Sequence, residues 1–156
     1  MQLKDKRVLV FGAAKSGISA TKLLQKQEAY VILYDSNTNL KVGDFEDKFD
    51  IQKGFMLLTG KLSEEIMDTL DLVVLSPGVP IDLPEVELMK AKNIPIWGEV
   101  ELAYRLSKGK VIGITGTNGK TTTTTLVGDI MRTYFNEVYV VGNIGKPYTD
   151  IALETT

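Results

Sequence analysis

Cysteine and histidine are both absent from the 156 residues. Without cysteine there is no disulfide framework, zinc ribbon, iron–sulfur cluster or thiol nucleophile. Without histidine there is no Ser-His-Asp triad, no imidazole base and no histidine-built metal site. Charge of one sign is also missing as a feature. The 18 basic and 20 acidic residues sum to −2, and no basic block exceeds the mixed Lys4-Asp5-Lys6-Arg7. The clustered basic surface that nucleic acid requires is therefore not expected. No apolar run approaches the ~18–20 residues of a membrane span. Met1 to Asp5 lacks a secretory leader's apolar stretch, so the expected location is cytoplasmic, without nucleic-acid or membrane partners. Chemistry must rest on carboxylates, lysines, hydroxyls and backbone groups.

What is present is a regular alternation of short apolar runs and helical patterns. Arg7–Phe11 (RVLVF), Tyr30–Tyr34 (YVILY) and Leu72–Leu75 (LVVL) read as strands buried on both faces. Phe55–Leu58 is a weaker strand, and Ile94–Trp97 a short one. Helical spacing covers 16–27, 63–70, 84–92 and 99–106. Lys110–Thr115 (KVIGIT) then restarts the cycle with a strand, a glycine turn, a long amphipathic helix and a further strand at Val138–Val141. Such alternation predicts an α/β fold: a Rossmann-like parallel-sheet domain followed by the start of a P-loop α/β domain. The expected division falls at Gly98, giving residues 1–98 and 99–156.

The first glycine turn, Gly12-Ala13-Ala14-Lys15-Ser16-Gly17, follows a strand and opens a helix, where a dinucleotide fingerprint belongs. Its middle glycine is replaced by Ala14, which argues against a nicotinamide cofactor. Exposed N–H groups and the helix dipole at such a turn favour a diphosphate. Asp35 lies at the end of the second strand, where an acid meets a ribose hydroxyl. Ser76-Pro77-Gly78 ends another strand on the same rim, and can offer a hydroxyl and an N–H. The alternative is purely structural: tight turns that happen to share one end of a sheet.

The second glycine turn is the more informative. Thr115-Gly116-Thr117-Asn118-Gly119-Lys120-Thr121-Thr122 sits between a strand and a helix. Ile114 stands where the general P-loop string needs glycine, but Gly119-Lys120-Thr121 survives. In that setting backbone N–H groups cradle phosphate, Lys120 reaches the β- and γ-phosphates, and the Thr121 hydroxyl can meet magnesium. Gly142-Asn143-Ile144-Gly145 is a further turn after the last strand.

The string Gly-Thr-Asn-Gly-Lys-Thr-Thr at 116–122 resembles the ATP loop of the Mur ligase superfamily, shared with folylpolyglutamate synthases. The order Gly12…Gly17, Asp35, Ser76-Pro77-Gly78-Val79, Ile96-Trp97-Gly98-Glu99, phosphate loop, Gly142-Asn143-Ile144-Gly145 is similar to the members that add D-glutamate to UDP-N-acetylmuramoyl-L-alanine in peptidoglycan synthesis. The resemblance implies a UDP-sugar-binding first domain, a central ATPase domain of which only the opening is present, and a carboxyl-terminal domain. It implies UDP-sugar contacts from Gly12, Lys15, Ser16, Gly17, Asp35, Ser36, Ser76, Gly78 and Asn143. It assigns ATP to Gly116, Thr117, Asn118, Gly119, Lys120, Thr121 and Thr122, with Lys120 and Thr121 catalytic and Thr121 on Mg2+. ATP and Mg2+ are the implied cofactors; UDP-N-acetylmuramoyl-L-alanine, ATP and D-glutamate are the implied substrates. Rival readings are a sister ligase with another amino acid, a nicotinamide oxidoreductase, and a non-catalytic nucleotide-binding module.

Overall fold

The structure is a computed structural model that describes residues 2–142 and 144–156. Its centre is a five-stranded, wholly parallel sheet in the order β3-β2-β1-β4-β5. The strands are β1 (Arg7–Phe11), β2 (Tyr30–Asp35), β3 (Phe55–Thr59), β4 (Leu72–Leu75) and β5 (Ile96–Gly98). The helices are α1 (Lys15–Lys26), α2 (Glu64–Met67), α3 (Pro84–Ala91), α4 (Glu99–Leu106), α5 (Lys120–Arg132) and α6 (Tyr148–Ile151), with a 3-10 turn at Val42–Phe45.

Period-two alternation sends each strand's side chains to opposite layers. Val8, Val10, Val31, Leu33, Leu72 and Val74 pack beneath Leu23 and Leu24 of α1 and Leu102 of α4. Leu9, Phe11, Ile32, Tyr34, Val73 and Leu75 pack on the other face with Met67, Val86 and Met89. Val86 and Met89 sit three residues apart on α3, which Pro84 opens at a position where its missing N–H costs nothing. The three central strands are covered on both faces because 8–11, 31–34 and 72–75 are apolar throughout, and each such side chain contributes about 1.5–3 kcal/mol by leaving water. The expected doubly covered parallel sheet is present.

At the amino end of the sheet, Asp71 ties β4 to β1. Its carboxylate accepts the Lys6 ammonium at 2.8 Å and the Arg7 backbone N–H at 2.8 Å. The Lys6 hydrogen bond first, and then the Arg7 N–H, hold the Asp71 carboxyl below the usual carboxylate range. A carboxyl depressed in the folded state stabilises above its unfolded pKa of about 3.9, and that contribution is lost as pH falls through the folded value. Asp71→Asn should therefore lower the urea midpoint near neutral pH, and the difference from wild type should vanish in acid. A difference that stays constant across that range would exclude the electrostatic account.

The second half of the chain departs from the expected pattern. Residues 110–115 and 138–140 run outside any ladder; Val141 forms only an isolated parallel bridge with Lys146. The two strands expected there are not formed. A parallel strand needs a neighbour to take its N–H and C=O groups, and no described segment forms a ladder with 110–115, whose Val111 and Ile112 are exposed. The helix between them does form as α5, and Gly128 on it lets Val140 approach closely: a Cβ there would meet the Val140 side chain at 2.7 Å. Helix α4, which opens the second expected unit, buries Leu102 and Ala103 in the core of the first. No described helix is long and apolar enough to cross a membrane.

Candidate functional site

The sheet's order fixes where a ligand crevice falls. The chain runs outward from β1 through β2 to β3, then returns to the other side of β1 for β4 and β5. Its direction reverses between β1 and β4, and crevices in open parallel sheets form outside the carboxyl ends at such a switch point. Gly12 leaves β1 at that point and Ser76 leaves β4. The Ser76 hydroxyl donates to the Gly12 carbonyl at 3.2 Å, and Ser76 itself is buried.

The turn after β1 is shaped by two glycines. Gly12 has φ +102°, a conformation that L side chains rarely adopt, and a Cβ there would sit 3.0 Å from the Ser76 hydroxyl oxygen. Gly17 lies in the first turn of α1, so close to the turn that a Cβ would stand 1.8 Å from the Gly12 carbonyl oxygen. Gly17 thus lets the helix start press against the strand exit. Lys15 is exposed and Ser16 half-buried on the same first turn.

Asp35 ends β2 beside this turn. One carboxylate oxygen accepts the Ala13 N–H at 2.9 Å; the other accepts the Asn37 N–H at 2.9 Å. Asp35 therefore locks the β1 and β2 exits together, and each oxygen keeps lone pairs for a further donor such as a ribose hydroxyl. Ser36 is exposed beside it. Ser76 to Val79 closes a turn through a Val79 N–H to Ser76 carbonyl bond at 3.0 Å, leaving Pro77 and Gly78 exposed. Hydrogen bonds thus join Asp35, Ser76 and the turn at Gly12 and Ala13 into one rim, against which Gly17 packs. Sequence reading gave Asp35 and Ser76 as ligand contacts without seeing that both also fasten the rim.

The second glycine turn forms at the start of α5. Gly116 has φ +149° and Gly119 φ +75°, so Gly119 caps the helix from the left-handed region. Thr117, Asn118, Lys120, Thr121 and Thr122 are all exposed. Lys120 folds back and donates to the Gly116 carbonyl and, at 3.3 Å, to the Thr117 carbonyl. Thr125 donates to the Thr121 carbonyl at 3.0 Å, so this later threonine satisfies helix backbone. No hydrogen bond among the described residues joins this loop to the β1–β4 rim. Asn143 lies outside the described residues.

One pattern singles out these two helix starts. The helices α2, α3, α4 and α6 all carry Asp or Glu in the first turn, as the dipole favours. Helices α1 and α5 carry none; all six helices lack a side-chain cap, so the missing acid is what sets these two apart. Neither helix start therefore has an acid of its own behind its glycine turn, and the Asp35 carboxylate reaches only the Ala13 N–H ahead of α1. That arrangement suits an external anion such as phosphate. Two shallow surface hollows lie elsewhere, one among Lys4, Arg7, Tyr30 and Lys53 and one among Lys22, Lys26, Phe49 and Lys53, and neither contains a residue of either turn.

Sequence reading gave no role to Glu99. Its buried carboxylate accepts the Thr149 hydroxyl at 2.7 Å and the Thr149 N–H at 3.4 Å. Tyr148 pairs with Ser107 at 2.6 Å, and Ser19 hydrogen-bonds Asp150. Together these bonds seat α6 against α1 and α4. An acid directly after a strand was the available signal, but its partner lies 50 residues away and no local pattern names it.

Among the described residues no group of three or more Asp or Glu could hold a metal ion. The Thr121 hydroxyl, exposed at an acid-free helix start, is of a kind that could supply one oxygen to a magnesium ion.

Comparison with known proteins agrees with this layout. Residues 6–98 match the family described as Mur ligase MurD-like, N-terminal domain. The chain is 54% identical over 155 residues to the UDP-N-acetylmuramoylalanine–D-glutamate ligase of Lachnoclostridium phytofermentans, covering 99% of this chain and 34% of that protein. It is 49% identical to the enzyme of the same name from Lachnospira eligens, again spanning 34% of it. The chain thus spans about a third of the length of these relatives. A pseudomurein peptide ligase type C from Methanothermus fervidus shares the fold, with a TM-score of 0.51 and 23% identity over 82% of this chain and 26% of that one. The chain belongs to the Mur ligases, in the MurD-like group whose N-terminal domain is matched across its five-stranded sheet.

Proposed function

We propose that this chain is the nucleotide-binding portion of an ATP-dependent ligase that joins D-glutamate to UDP-N-acetylmuramoyl-L-alanine in cytoplasmic peptidoglycan synthesis. The observation that carries this reading is the 54% identity to a ligase of that name, extending over both glycine turns. The two acid-free helix starts support it, since a UDP-sugar and ATP each bring phosphates that need such a place.

In this reading residues 1–98 hold the UDP-sugar. The diphosphate lies over the turn 12–17, where backbone N–H groups and the Lys15 ammonium meet it. Ser16, Ser36 and Gly78 line the rim. Asp35 accepts a ribose hydroxyl through the lone pairs left by Ala13 and Asn37, and Ser76 offers oxygen lone pairs while its proton serves Gly12. Asn143 contacts the same substrate. Residues 99–156 open the ATP-binding unit, with Gly116, Thr117, Asn118 and Gly119 wrapping the phosphates.

A carboxylate is a poor electrophile because its oxygen is a poor leaving group. Transfer of the γ-phosphoryl group to the alanyl carboxylate gives an acyl phosphate and ADP. The D-glutamate amine then attacks the acyl carbon, the amide C–N bond forms, and the C–O bond to phosphate breaks. Lys120 leaves the Gly116 and Thr117 carbonyls and stabilises the γ-phosphoryl oxygens as charge develops. Thr121 and Thr122 supply hydroxyls at the dipole's positive end. Magnesium, when bound, neutralises phosphate charge.

The chain on its own should bind UDP-N-acetylmuramoyl-L-alanine and form no amide. Titration calorimetry against that compound and against NADH tests this; tighter binding of NADH would sink the reading.

A further inference from the structure

We propose that Lys61 supplies a second cation at the nucleotide rim, acting on the diphosphate from the β3 side of Asp35. The inference rests on the UDP-sugar reading of the same rim and adds a residue that the glycine turns do not indicate. The carboxylate of Asp35 stands on the β2 side of this rim and accepts the Ala13 N–H of the turn after β1. A diphosphate placed there meets that charge, so cations are needed around it. Lys15 stands on one side, at the start of α1.

The other side is built just as deliberately. The strand register pairs Asp35 with Thr59, so β3 ends level with β2. Gly60 then turns with φ +80°, its N–H donating to the Asp35 carbonyl at 3.1 Å. The Gly60 carbonyl accepts the hydroxyl of buried Tyr34 at 2.8 Å. A Cβ on Gly60 would press on Thr38 at 3.2 Å, which fixes the path of the exit against the Asp35–Thr38 turn. The next residue is Lys61, exposed and without an ion pair or hydrogen bond among the described residues. Strands are about 4.8 Å apart, so β3 leaves the sheet about 10 Å from the turn at Gly12. A lysine's four-carbon stem spans much of that gap and carries its charge into water, where it steers and holds an anion.

The test compares UDP with uridine, which shares the nucleoside and lacks phosphate. Calorimetry on this chain should show Lys61→Gln binding UDP about fivefold more weakly at low salt, the scale of an exposed ion pair. Lys61→Arg should retain wild-type affinity. The deficit should close at about 1 M salt, where the screening length falls to about 3 Å. Uridine binding and the thermal midpoint should not change. Equal UDP affinity for Lys61→Gln and wild type would overturn the proposal alone, as would an equal loss for uridine. Failure of the wild-type chain to bind UDP would remove the UDP-sugar reading and this proposal together.

Discussion

Alanine at Gly17 should unfold the rim before it affects anything else. The added methyl carbon would stand 1.8 Å from the Gly12 carbonyl oxygen and 3.0 Å from its carbon. Both are backbone atoms, and Gly12 is itself held by its N–H to the Tyr34 carbonyl at 2.8 Å and by the Ser76 hydroxyl. No rotamer relieves a contact with the main chain, so the first turn of α1 must lift away from β1. Overpacking of this kind costs about 3 kcal/mol or more when the neighbour cannot yield. The lift also opens the close approach of N–H groups on which anion binding depends. Gly17→Ala should therefore lower the urea midpoint sharply and abolish measurable UDP binding. Gly78→Ala is the matched control: a Cβ there meets nothing within 4 Å, and stability should be unchanged. A Gly17→Ala chain as stable as wild type would show that the helix start does not sit against the strand exit.

The contrast between those glycines marks how far sequence reasoning reaches. Gly12 and Gly17 stand out in the string because a strand precedes them and a helix follows, and that order is local. The strand runs were equally legible: five parallel strands require apolar residues on both faces, and RVLVF, YVILY and LVVL carry them. What was not legible is what depends on a neighbour. The run KVIGIT reads as a strand by composition, yet it finds no partner for its backbone and stays outside the sheet. Strand propensity measures fit to a half-buried pleated surface, and a segment without such a surface does not express it.

The long-range polar bonds escaped for the same reason. Glu99 holds Thr149 across 50 positions, and Gly60 ties Asp35 to the β3 exit. In each case the residue types are ordinary and only the fold puts them together. The rim itself was half legible. Glycine turns and strand ends indicated which residues share an edge, but not that Asp35 and Ser76 spend hydrogen bonds on holding that edge in shape. Nor did the string make plain that α1 and α5 differ from the other helices by what their first turns omit.

The phosphate loop carries the other large expectation. In a full-length ligase of the proposed kind, Lys120→Ala should reduce turnover by at least about 10³-fold, the scale of losing a donor aimed at developing charge. The reason is visible in where the ammonium rests. Among the described residues Lys120 hydrogen-bonds only to the Gly116 and Thr117 carbonyls of its own exposed loop, so no buried hydrogen bond is lost when it is removed. The thermal midpoint should move by no more than about 0.5 kcal/mol's worth. UDP-sugar affinity should persist, because the β1–β4 rim shares no hydrogen bond with the 116–122 loop among the described residues. Rapid-quench detection of the acyl phosphate separates the steps: its loss in Lys120→Ala, with UDP-sugar still bound, places the lysine at phosphoryl transfer. If the acyl phosphate forms at the wild-type rate, the loop's assignment to ATP is wrong. If UDP-sugar binding falls with it, the two glycine turns act as one site rather than two. Lys120→Arg sharpens the distinction, since it keeps the charge but changes the reach and shape of the donor. A large loss for arginine as well would indicate that a compact ammonium close to the loop carbonyls, rather than positive charge alone, is what the transferring phosphoryl group requires.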